Sequence, residues 1–220
     1  MLNVIPALSF GVPLSVACET SLLGNGIPLI LSKCIEFIEN VCISSEGIYR
    51  ISGRVTDVQD LRMNLETDAQ NYDLGKIEDI NCVAAVIKAF IKEIPESLFN
   101  LNTKQRSEYS AITNAQERCD KLKWLIKLLP TENKTVLRYL IAHLLRYISN
   151  NERISARSSE NRMGLSNLSV VFSAVIFPEM EAPVQSSKKG KEEERLVLNA
   201  QIMSLVKSDL VVFPVMVGHG

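Results

Sequence analysis

Arg50 stands in the stretch Glu46-Gly47-Ile48-Tyr49-Arg50-Ile51-Ser52-Gly53, set between two glycines. A guanidinium is planar and always charged, and it bridges two oxygens at once. Held on a braced loop, it suits reaching into a neighbour's active site. Gly47 and Gly53 allow backbone conformations that a residue with a Cβ resists, so the stretch can turn out of one helix and into another. Ile48 and Ile51 are placed to pin that turn in the core, leaving Tyr49 and Arg50 to project. A solvated arginine in an ordinary inter-helix turn accounts for the same residues, since most arginines lie at the surface.

The next candidates are Lys88 and Lys92, one helical turn apart and opposite the stripe formed by Val83, Ile87, Phe90, Ile91 and Ile94. Like charges at this spacing cost an isolated helix about 0.2–0.5 kcal/mol, so the pair calls for solvent screening or an anionic partner. A solvated face and a binding face fit equally. His143 borders an apolar stripe with no acidic or cysteine neighbour at a useful spacing and reads as a packed, satisfied histidine; His219 lies in a glycine-flanked tail. A histidine triad or zinc site has little material here. Trp124 reads as partial packing. Gly24-Asn25-Gly26 is a turn, because no Lys-Ser/Thr follows to make a phosphate loop.

The elements that must position these groups follow from apolar spacing. After Pro28, the residues Leu31, Cys34, Ile35, Ile38 and Val41 predict a helix ending near Cys42 to Ser45. A second helix starts at about Thr56 with Val58, Leu61 and Leu65 on one face. Asn81 is the expected N-cap of the third, which Pro95 stops. The polar stretch from Asn100 to Asn114 predicts a loop with a short helix. Leu122, Leu125, Ile126 and Leu129 define the next helix, up to Pro130. The strongest periodicity is Val136, Leu137, Leu140, Ile141, Leu144, Leu145 and Ile148. Residues 179–194 read as a mobile loop whose basic run Lys188-Lys189-Gly190-Lys191 is offset by three glutamates. A last helix is expected from Arg195 to about Ser208. No alternating strand pattern is convincing, and the expected fold class is all-α in a single domain.

With 220 residues the chain can bury a sizeable core. Its formal net charge of −1 gives no support for nucleic acid or an anionic membrane as the main partner. The five scattered cysteines lack C-x-x-C pairs and read as reduced thiols of an intracellular protein. No basic leader opens the chain and no apolar run reaches bilayer length, so the expected location is cytoplasmic with no transmembrane segment.

Four motifs in one order carry a resemblance: Phe10-Gly11-Val12-Pro13-Leu14, the arginine stretch, Val86 to Glu96, and Asn161-Arg162-Met163-Gly164-Leu165-Ser166-Asn167-Leu168-Ser169-Val170-Val171-Phe172. From about Phe10 to Phe213 the chain resembles the RhoGAP family, the GTPase-activating domains for Rho-type small G proteins. The resemblance implies an N-terminal extension over 1–9, a helical RhoGAP domain over 10–213 and a tail over 214–220. It implies that Arg50 is an arginine finger supplied in trans, and that Lys88 and Lys92 face the G protein. Asn167 would contact the partner and organise the finger loop. The implied partner is a Rho, Rac or Cdc42 type protein in its GTP-bound state. No cofactor belongs to this chain, since GTP and Mg²⁺ sit on the partner, and any membrane recruitment would fall to other domains.

The pattern departs from the family at Lys92, which stands where an arginine is common, at Arg162 for lysine and at Gly164 for a capping threonine. Ser173-Ala174 replaces a Gly-Pro pair, which predicts a more continuous helix there. These departures keep open a module that binds a small G protein without accelerating hydrolysis. A helical domain that packs only inside a larger protein is a third reading.

Overall fold

Every periodic apolar stretch within the described residues becomes a helix in the computed structural model, which describes residues 9–45, 47–155 and 165–176. In chain order the α-helices are α1 (Leu14–Cys18), α2 (Leu29–Phe37), α3 (Val55–Asp68), α4 (Asn81–Lys92), α5 (Thr103–Ala111), α6 (Ala115–Leu128), α7 (Thr131–Ser155) and α8 (Leu165–Ile176), of which the short α1 has no counterpart in the apolar periodicity. No strand occurs among the described residues, and no helix there is long and apolar enough to cross a membrane. The segments expected at 179–194 and 195–208, the residues of the family motif from Asn161 to Gly164, the tail and His219 lie outside the described residues.

α4 occupies the middle because it is apolar over most of its circumference. Cys82, Val83, Ala84, Val86, Ile87, Phe90 and Ile91 are all buried, and α2, α3 and α8 pack around it. The N-terminal motif is tied on here as well. The backbone N–H of Phe10 donates to Glu66 (3.0 Å), the Phe10 ring meets Phe90 edge-on at 5.6 Å, and the Arg62 guanidinium lies 4.4 Å from its centroid.

α7, 25 residues and about 37 Å long, buries Val136, Leu137, Leu140, Ile141, Leu144, Tyr147 and Ile148. Leu145 is only partly buried at the edge of that stripe. At the start of α7 the buried Asn133 donates to the Leu98 carbonyl (2.9 Å), which locks the chain segment after α4 to the long helix. Lys121 stacks on the half-exposed ring of Trp124.

Three local features differ from the periodicity reading. The N-cap of α4 is Ile80, with no side-chain cap bond; one residue earlier, Asp79 Oδ1 accepts from the Asn81 N–H (2.9 Å), and Asn81 is already inside the helix. Pro28 precedes α2 instead of lying in its first turn. The helix after Pro28 ends its α-form at Phe37 and continues as a π-helical turn over Ile38–Cys42. Such turns widen the helix by one residue and often occur at functional sites. Here the turn carries Glu39. α8 runs unbroken through Ser173 and Ala174, as expected from two residues without the helix-breaking properties of glycine and proline.

Candidate functional site

Residues 47–54 lie between the π-helical turn, which ends at Cys42, and α3. Gly47 has φ +68°, the left-handed region in which a Cβ is strained. From that start the chain folds into a tight turn, and the Gly47 carbonyl accepts from both the Arg50 N–H (2.7 Å) and the Ile51 N–H (2.8 Å). Gly53 is required for a different reason. Its φ is not left-handed, but a Cβ there would lie 2.7 Å from Cys82 Sγ and 2.8 Å from Cys82 N at the start of α4. The loop lies so close to α4 that only hydrogen fits.

The turn corrects one expectation. Ile48 and Tyr49 are the buried pair, both fully so, whereas Ile51 is 46% exposed alongside Arg50. The expectation has both isoleucines pin the turn in the core; the left-handed start at Gly47 instead turns two consecutive side chains, Ile48 and Tyr49, inward. A phenol goes inside only where its hydroxyl finds a partner, and the Tyr49 hydroxyl meets Nε2 of His143.

The peptide between Tyr49 and Arg50 is held at both of its polar atoms. Its N–H donates to Gly47, and its carbonyl accepts from Nζ of Lys88 at 2.8 Å. Burial lowers the Lys88 pKa. Lys92, one turn further along α4, is exposed. The two lysines that look equivalent in sequence therefore have different surroundings, one half-buried against the Arg50 loop and one in solvent. Asn167 is exposed near the start of α8. That helix reaches the loop through Phe172, whose ring meets Tyr49 edge-on with centroids 5.0 Å apart.

Behind the loop runs a polar chain that the sequence did not reveal. His143, fully buried on α7, bonds Tyr49 through Nε2 and Glu39 through Nδ1 (2.7 Å). Glu39 Oε1 also accepts from Arg146 Nε at 2.8 Å. The nearby Tyr147 hydroxyl donates to the Ser45 carbonyl (3.1 Å), just before the loop. His143 is satisfied, as its sequence setting suggested, but by an acid 104 residues away. No local pattern signals that pairing.

Burial pushes the His143 pKa down further than its bond to Glu39 pushes it up. Burial raises the Glu39 carboxyl, but the hydrogen bonds from His143 and Arg146 outweigh it and leave the pKa lowered. Both signs make acid destabilising, since the unfolded chain binds each proton more tightly. Stability should fall as pH drops through the ordinary histidine value of 6.5 toward the lower folded value, and fall again below the carboxyl value of 4.5. Urea midpoints measured across this range check it. His143→Gln should flatten the upper part of the curve; an unchanged slope would assign that titration to another group.

A family model described as the RhoGAP domain matches residues 28–181. The chain belongs to the RhoGAP family. WW domain-containing protein tag-325 of Caenorhabditis elegans is 32% identical over 189 residues, covering 85% of this chain and 21% of that protein. Rho GTPase-activating protein 35 of Canis lupus familiaris is 34% identical over 154 residues, 69% of this chain and 10% of that protein. This RhoGAP domain thus spans a fifth and a tenth of these relatives. The crystal structure of human Rho GTPase activating protein 15 matches with TM-score 0.70 and 25% identity, over 96% of this chain and 95% of that one. The all-helical single-domain fold is shared with it.

Proposed function

We propose that this RhoGAP domain accelerates GTP hydrolysis by a Rho-family small GTPase in its GTP-bound state, with Arg50 as the arginine finger. Small G proteins hydrolyse GTP slowly because charge developing on the phosphoryl oxygens and the leaving oxygen is poorly neutralised. An arginine supplied in trans is worth about 10³- to 10⁵-fold, or about 4–7 kcal/mol of barrier. The nucleotide and Mg²⁺ belong to the partner. The observation that carries this reading is an exposed Arg50 on a loop whose preceding peptide is hydrogen-bonded at both its N–H and its carbonyl. Preorganisation of that kind is what electrostatic stabilisation of a transition state requires. Ile51, next to the arginine in sequence, and Val55, at the start of α3, are exposed apolar side chains, suited to the dry centre of a contact surrounded by polar groups.

Single-turnover GTP hydrolysis across a panel of Rho, Rac and Cdc42 type proteins tests the proposal and identifies the partner. Acceleration of one or more supports it. Binding to the GTP-loaded form without acceleration would instead support a capture module.

Lys88, Lys92 and Asn167 are proposed to complete the face. Lys92, in solvent, supplies a point charge to the partner. Lys92→Glu should therefore raise the half-saturating concentration about tenfold and leave the maximal rate unchanged. Lys88 has a second duty through the Tyr49 carbonyl, so Lys88→Ala should lower the maximal rate as well. Identical kinetic signatures for the two variants would rule out this division of roles.

A further inference from the structure

We propose that His143 and Glu39 are positioning residues for the arginine finger: the pair fixes the Tyr49 hydroxyl, and through Tyr49 the backbone from which Arg50 projects. The inference rests on the assignment of Arg50 as the finger and deepens it. Neither residue is exposed beside Arg50; His143 is fully buried behind the loop. Their effect on the reaction must pass through Tyr49.

The hydrogen-bond directions follow from the partners. Glu39 Oε1 already accepts from the Arg146 guanidinium, with Nη2 at 2.6 Å and Nε at 2.8 Å, so it is a carboxylate with no proton to donate. Nδ1 of His143 must then be the N–H that it accepts. In a neutral ring this leaves Nε2 as an acceptor, and the Tyr49 hydroxyl has to donate to it. Every member of the chain is satisfied in this one direction. Arg146 holds Glu39, Glu39 sets the tautomer of His143, and the tautomer orients the phenol.

The phenol has little freedom to move. Its ring meets His143, Tyr147 and Phe172 edge-on, with centroids 5.8, 5.7 and 5.0 Å away. On the main-chain side its carbonyl accepts from Lys88, and the next N–H is held by Gly47. Tyr49 is the residue immediately before Arg50, so any slack in the phenol passes directly into the backbone that carries the guanidinium. The π-helical turn over Ile38–Cys42 is the local feature that brings Glu39 under α7.

The test compares the full chain with Tyr49→Phe, Glu39→Gln and Glu39→Met in single-turnover hydrolysis, with Arg50→Ala as reference. Tyr49→Phe retains the ring packing and removes only the hydroxyl. Its maximal rate should fall about tenfold, with the half-saturating concentration within about twofold of wild type. Glu39→Gln keeps an oxygen to accept from Nδ1–H and should retain most of the rate, whereas Glu39→Met should behave like Tyr49→Phe. A purely structural role would lower thermal stability in these variants without lowering the maximal rate per folded molecule. That result would overturn the inference. Nitrogen-15 spectra of the wild-type chain near neutral pH supply a readout independent of any G protein. His143 should be the neutral Nδ1–H tautomer, and an Nε2–H tautomer would also overturn it. If wild type were no faster than Arg50→Ala, the finger assignment would fail, and this inference with it. A slow Arg50→Ala beside a Tyr49→Phe as fast as wild type would sink the inference alone.

Discussion

Arg50→Ala should cut the stimulated rate of GTP hydrolysis by about 10³- to 10⁵-fold. Affinity for the GTP-loaded partner should change far less, because the charge that a finger arginine would neutralise develops only in the transition state. The fold should be unaffected. Arg50 is exposed, and the contacts that hold its loop are made by its backbone N–H and its neighbours, none of which an alanine removes. Substitutions at such surface positions usually change stability by no more than about 0.5 kcal/mol. Arg50→Lys should recover little of the rate, since an ammonium keeps the charge but loses the planar fork that bridges two oxygens. Stopped-flow single-turnover measurements at saturating domain, with binding followed separately using a slowly hydrolysed GTP analogue, check both halves of the expectation. An alanine variant as fast as wild type would remove Arg50 from the chemistry.

Gly47→Val should be the second most damaging change, and for a backbone reason. At φ +68° a β-branched residue is held where L-amino acids are strained, at a cost of about 1–2 kcal/mol before any contact is considered. The new Cβ would also lie 3.1 Å from Cδ1 of Ile51 and 3.2 Å from its Cγ1, with the Arg50 guanidinium 3.6 Å away. Both side chains are exposed and can move, so the collision adds less than the backbone strain. The greater effect is on the turn. The Gly47 carbonyl is the acceptor for the Arg50 and Ile51 N–H groups, and rotating it out of place releases the peptide from which Arg50 projects. A misplacement of about 1 Å can cost about 10²-fold in rate. We expect a rate loss of that size together with a drop of about 2–3 kcal/mol in unfolding free energy. Gly47→Ala should follow the same direction with smaller values. Denaturant titration and maximal hydrolysis rate provide the check; normal stability with a normal rate would show that the loop tolerates another path.

α4 and α7 were legible because each presents a continuous apolar stripe. The arginine between two glycines was legible for a similar reason, since those residue types announce a turn wherever they fall. The side chains flanking it were not legible. Tyr49 and Ile51 exchange the expected places because one left-handed residue redirects the turn, and side-chain direction within a loop has no period to read. Lys88 and Lys92 look alike at i,i+4, yet only Lys88 lies beneath the Tyr49 carbonyl.

By itself, then, the order of residues determined the all-helical class, the starts of α3 and α4 to within a residue, and the candidacy of Arg50. These properties depend on neighbours a few positions apart along one chain segment. Only the tertiary structure decided that Tyr49 is an internal anchor, that Gly53 is needed for close approach, and that His143 is matched with Glu39 across 104 positions. A buried hydrogen bond requires its two groups to be adjacent in space, and packing α7 against the π-helical turn creates an adjacency that neither segment encodes alone.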